Sequence, residues 1–146
     1  MKWTLGVGAA LLLFSATANA AGGNTLASTD MFAGPGDQFP QVMHLAPDLK
    51  VQIHGCLRNG LWCDVTWRGN RGWVAAQSLA YRAGTDRVAL EQPAAEVPPV
   101  TFDLRAYWEQ NYRDRLWYAD VNKWEANVAR PETAAAQATL HATPRQ

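Results

Sequence analysis

The chain has 146 residues with thirteen basic and thirteen acidic side chains, a formal net charge of zero at pH 7. That length allows one small domain with extensions, and the balance argues against a polybasic membrane patch and against nucleic-acid binding. Residues 1–20 read as a signal peptide: Lys2 is the positive start, Leu5 to Phe14 the apolar stretch, and Ala18-Asn19-Ala20 the cleavage site. The stretch is short for a membrane span, so an uncleaved anchor is the weaker reading and no stable span is expected after cleavage. Loss of Lys2 leaves twelve basic against thirteen acidic residues (13 − 1 = 12), and the mature chain stays near neutral. Such a chain is expected to cross the inner membrane into a periplasmic or extracellular space.

Within the mature part, 21–146, residues 21–81 are expected to form a barrel. Residues 21–24 read as a flexible start, and 25–32 as extended chain. Ala33-Gly34-Pro35-Gly36 forces a turn, with glycines free to take positive φ on either side of a fixed proline. Val42 to Leu45 reads as a short strand, and Ala46-Pro47-Asp48-Leu49 as another turn. Lys50 to Gly55 is the first strong strand, with Val51 and Ile53 on one face.

Asn59-Gly60 marks a hairpin tip, for which a two-residue type I′ turn is expected. Counting outward, Cys56 faces Cys63, within disulfide reach, and export favours the bond. Carried further, that register sends Val65 and Trp67 to the face opposite Ile53 and Val51. A one-residue bulge near Gly55 would reunite them, and is preferred. Alternatively both faces are covered, one of them by the C-terminal tail. A second turn spans 68–72. Trp73-Val74 follows as a strand, 75–79 as one 3₁₀ turn, and Ala80-Tyr81 as a last short strand.

These residues resemble a known family. Ala33-Gly34-Pro35-Gly36, Phe39-Pro40, Gly55-Cys56, Trp62-Cys63-Asp64-Val65, Arg71-Gly72-Trp73-Val74 and Ser78-Leu79 are similar in order and spacing to a bacterial SH3 domain (SH3b, type 3) over about residues 25–81. The resemblance implies an all-β fold: an SH3-like small barrel of five to six strands, partly open, in an exported or cell-envelope protein. It also implies a binding module for peptidoglycan or another envelope component. No hydrolase domain accompanies it here; the layout is closer to small stand-alone exported SH3 proteins.

Residues 82–99 read as a linker, polar and then proline-rich. An aromatic extension, 100–130, carries two short helices. Asp103 is placed to cap the first, about 103–113; Leu104, Tyr107, Trp108 and Tyr112 share one face. Trp117, Val121, Trp124 and Val128 repeat the pattern over 117–128, and Pro131 stops the second helix. Residues 131–146 read as a disordered tail.

The candidate binding residues are Trp62, Trp73, Arg58 and Arg71. Exposed indoles could stack on sugar rings or a peptide, or else serve as barrel core. Arginines at turn tips could take peptide carboxylates, or simply face solvent. The C-terminal stripe either packs on the barrel or forms a docking surface, which makes a protein-docking or scaffold role the alternative function. The partners expected are therefore a cell-wall glycan or peptide, or an envelope protein. No enzyme is expected: His44, His54 and His141 lack ligand spacing, Asp64 stands alone, and a bonded Cys56 is no nucleophile. Neither a cofactor nor a metal is implied.

Overall fold

The structure is a computed structural model, and it describes residues 20–83, 85–90 and 97–128. Residues 1–19 of the segment expected as a signal peptide, most of the proline-rich stretch and the tail from 129 lie outside the described residues. The fold is mostly β: an open, mainly antiparallel sheet followed by two short C-terminal helices. Among the described residues nine strands form it, more than the five to six expected. They are β1 (Ala21–Thr25), β2 (Thr29–Phe32), β3 (Gln41–Leu45), β4 (Lys50–Leu57), β5 (Trp62–Trp67), β6 (Asn70–Ala75), β7 (Leu79–Ala83), β8 (Asp86–Ala89) and β9 (Pro99–Val100). The path across the sheet is β3-β2-β6-β5-β4-β1-β7-β8, with β9 parallel to the far end of β4.

Both ends of the expected barrel needed correction. Residues 21–24 are no loose start: β1 lies between β4 and β7, with Gly23 opposite both Val51 and Tyr81. The buried Thr25 hydroxyl donates to the Ala46 carbonyl (2.7 Å) and accepts from the Leu49 amide (2.9 Å). The stretch expected as a linker contributes β8, β9 and two buried apolar side chains, Leu90 and Val97.

The β4–β5 hairpin has the expected bulge. Cys56 pairs with Cys63 and Gly55 with Asp64, then the register shifts so that Ile53 faces Val65. The spare residue is His54, and the shift returns Val51, Ile53 and Val65 to one core with Met31, Leu45, Val74 and Leu79. Cys56 and Cys63 are joined by a disulfide. Gly55 is required for a separate reason: a Cβ there would collide with the Val100 side chain and sit 2.5 Å from the Pro98 carbonyl, where β9 crosses.

The type I′ turn expected at Asn59-Gly60 does not form. Asn59 is not in the left-handed region, as a type I′ turn needs; the Gly60 amide bonds the Leu57 carbonyl (2.8 Å), and only Gly60 is left-handed, at φ +71°. The type I′ pattern falls at the next turn, where Arg68 (φ 45°) and Gly69 (φ 77°) connect the paired Trp67 and Asn70.

The helices are α1 (Leu104–Asn111) and α2 (Val121–Val128), linked by a 3₁₀ turn over Leu116–Asp120. Asp103 caps α1 by accepting from the Ala106 amide at 2.9 Å. No helix among the described residues is long and apolar enough to cross a membrane.

Candidate functional site

Strand alternation divides β5 and β6 into two faces. Cys63, Val65, Gly72 and Val74 are buried, and all but Gly72 belong to the main core cluster. Trp62, Asp64 and Thr66 stand opposite Ala75, Trp73 and Arg71 on the other face. The bulge and the second covered face therefore coexist, because the C-terminal helices lie over this side.

Asp64 is the centre of that second face. It is 4% exposed and receives the Arg71 guanidinium as a fork: Nε at 3.0 and 3.2 Å, Nη2 at 2.6 Å. The Tyr107 hydroxyl donates to the same carboxylate at 2.7 Å, and the Tyr112 hydroxyl donates to the Arg71 carbonyl at 2.6 Å. Burial raises the pKa of both phenols above their ordinary value. The hydrogen bond from Arg71 to Asp64 raises that of the guanidinium. All of these groups thus keep their hydrogen-bonding protons at any physiological pH.

Aromatic packing closes the face. Trp73 is 1% exposed and meets Phe102 and Tyr107 at ring separations of 5.3 and 5.8 Å. Trp108 is wholly buried, donates from its indole to the Ala33 carbonyl (2.8 Å), and packs against Trp117 at 4.7 Å. The C-terminal stripe is accordingly spent on the sheet and on the loop carrying Ala33 and Phe39.

The four candidate residues separate into two environments. Trp73 is enclosed and Arg71 is committed to Asp64, so neither presents a free surface. Arg58 is exposed at the hairpin tip. Trp62 is half-buried, with one edge on Phe32 at 5.9 Å. It borders an open cleft of about 500 Å³ whose other walls include Leu61, Ala75, Gln77 and Leu90. Leu61 is 63% exposed there.

His54, the bulge residue, is bonded through Nε2 to the Thr66 hydroxyl at 2.7 Å. Burial, with Arg71 adding to it, lowers its pKa below the ordinary value, partly offset by Asp64. The neighbouring Cys56 is bonded to Cys63.

Sequence reasoning treated Asp64 as solitary and did not anticipate Leu61, Gln77 or Leu90 beside Trp62. For Asp64 a signal existed: an acid two residues from Trp62 and Thr66 on one strand face, opposite an arginine-bearing strand. Leu90 gave none, since its place depends on the β7–β8 hairpin. Compared with protein-family models, curated proteins and solved structures, the chain matches none.

Proposed function

We propose that the chain is a non-catalytic binding module of the periplasm or cell envelope, built on an SH3-like barrel. The barrel reading is supported by the strand path. A five-strand run, β7-β1-β4-β5-β6, is preceded in the last crossover by a 3₁₀ turn (Ala76–Ser78), and the β2–β3 hairpin folds back to pair Phe32 with Trp73. The sequence motifs of an SH3b domain fall on these elements. The disulfide is compatible with an oxidising, exported location.

The single observation that carries the binding reading is the Trp62 cleft. An indole edge and an exposed leucine on a rigid, cross-linked hairpin offer an apolar platform with the polar Gln77 beside it. This suits a sugar face or an extended peptide of the cell wall, for which aromatic stacking supplies area and a few polar groups supply orientation. The helices are less suited to docking, since Trp108 and Tyr112 are already buried. Co-sedimentation with purified peptidoglycan sacculi tests the proposal. The wild-type chain should pellet with sacculi, and Trp62→Ala should remain in the supernatant with an unchanged fold. A wild-type chain that never pellets sinks the peptidoglycan reading.

A further inference from the structure

A second concavity, about 490 Å³, opens where β1, β4, β7 and the β5–β6 turn converge. Lys50, Arg68 and Arg82 line it together with Trp67, Gln52 and Thr66, and among the described residues no carboxylate does. Among the described residues these three cations take part in none of the ion pairs, whereas Arg71, Arg87, Arg105, Arg113 and Lys123 are each paired. In a chain of zero net charge, three unmatched cations around one hollow are a local excess.

Their placement is built by the backbone. Gln52 and Thr66 are paired across β4 and β5. Arg68 occupies a left-handed position that an arginine rarely takes, and its guanidinium lies 4.6 Å from the Trp67 ring centroid, over the indole. Arg82 reaches across Gly22, whose missing side chain leaves its Nη2 only 3.6 Å from where a Cβ would stand. Gly22 itself is paired with Gln52. Cleavage after Ala20, a lining residue, would add the α-ammonium of Ala21 at the same rim.

We infer that this hollow is a binding site for a small multivalent oxyanion, a phosphate- or carboxylate-bearing group, held by the two guanidinium forks and the Lys50 ammonium. Guanidinium matches both kinds of oxyanion in two-point geometry, and ammonium adds charge without direction. The Trp62 cleft plays no part in it.

Isothermal titration at low salt with two probes, inorganic phosphate and tricarballylate, tests the inference. One saturable site is expected, with Kd near ~1 mM or tighter. Binding of phosphate alone assigns phosphoryl groups, of tricarballylate alone carboxylates, and of both a site that reads charge. Arg68→Gln with Arg82→Gln should weaken binding about tenfold or more. Lys50→Gln alone should weaken it less, and Arg58→Gln and Trp62→Ala should leave it unchanged. The inference is overturned if neither probe saturates, if Lys50→Gln and the double variant both bind like wild type, or if Arg58→Gln weakens binding as much as they do.

Discussion

Asp64 shows how one side chain ties sheet to helix. A carboxylate so enclosed is stable only when its acceptor sites are filled, and here a guanidinium fork and a phenol fill them. Asp64→Asn keeps the shape but removes the charge facing Arg71. Breaking a buried pair costs about 3–5 kcal/mol, and the 30% exposure of the Arg71 side chain reduces that to about 2–3 kcal/mol. Urea melts should show this loss, while Tyr107→Phe should lose about 1 kcal/mol. Equal melting of wild type and Asp64→Asn would mean the network contributes no net stability. His54 adds a pH dependence. Its folded pKa lies below the ordinary 6.5, so the unfolded chain takes up the proton first as pH falls. Its contribution is fully present above 6.5 and declines as pH drops below that value toward the folded pKa. His54→Gln should flatten the fall of stability below pH 6.5.

At the scale of elements, what was legible in the sequence followed from local chemistry. The β4–β5 hairpin was legible because cysteines flank its tip and because Val51, Ile53 and Val65 can share a core only through a bulge. The capped α1 was legible because Asp103 and the aromatic spacing act within a few residues, whereas the second helix, expected over 117–128, begins only at Val121, after the 3₁₀ turn over Leu116–Asp120. β1 was illegible for a physical reason. Its Ala21-Gly22-Gly23-Asn24-Thr25 sequence has no apolar alternation, because the strand fills space by being thin: a Cβ on Gly23 would lie 2.5 Å from Ile53 Cδ1. β9 likewise depends on a partner distant in sequence, the far end of β4, whereas β8 pairs with the adjacent β7 in a hairpin. The type I′ turn failed at Asn59-Gly60 because Asn-Gly is only a statistical preference for it: the Gly60 amide bonds the Leu57 carbonyl with Asn59 outside the left-handed region. Gly60 is nevertheless left-handed with open space around its missing Cβ. Gly60→Val should therefore cost about 1–2 kcal/mol through backbone strain alone, measurable as a lowered melting temperature.

The whole molecule carries two cores on opposite sides of β5 and β6, one within the sheet and one beneath the helices. The second has few aliphatic residues and many rings, so its cohesion concentrates in a few large side chains. Trp108 is wholly buried among them, touching Tyr112, Trp117 and Trp124 and bonding the Ala33 carbonyl. Trp108→Ala should cost about 3–5 kcal/mol, the range for deleting a buried large aromatic side chain. Deleting everything after Val100 should do more than lower stability. It would uncover Trp73, Phe39 and Ala33 at once and leave the Asp64–Arg71 pair facing water without Tyr107. The shortened chain should bind a hydrophobic dye that the full chain ignores, and should aggregate at concentrations where the full chain stays dispersed. The disulfide-linked hairpin and the first core would survive that deletion, so strand circular dichroism should persist while the dye signal rises. If the shortened chain neither binds dye nor melts earlier, the helices add nothing to the sheet, and their aromatic face must be held there for a purpose other than stability.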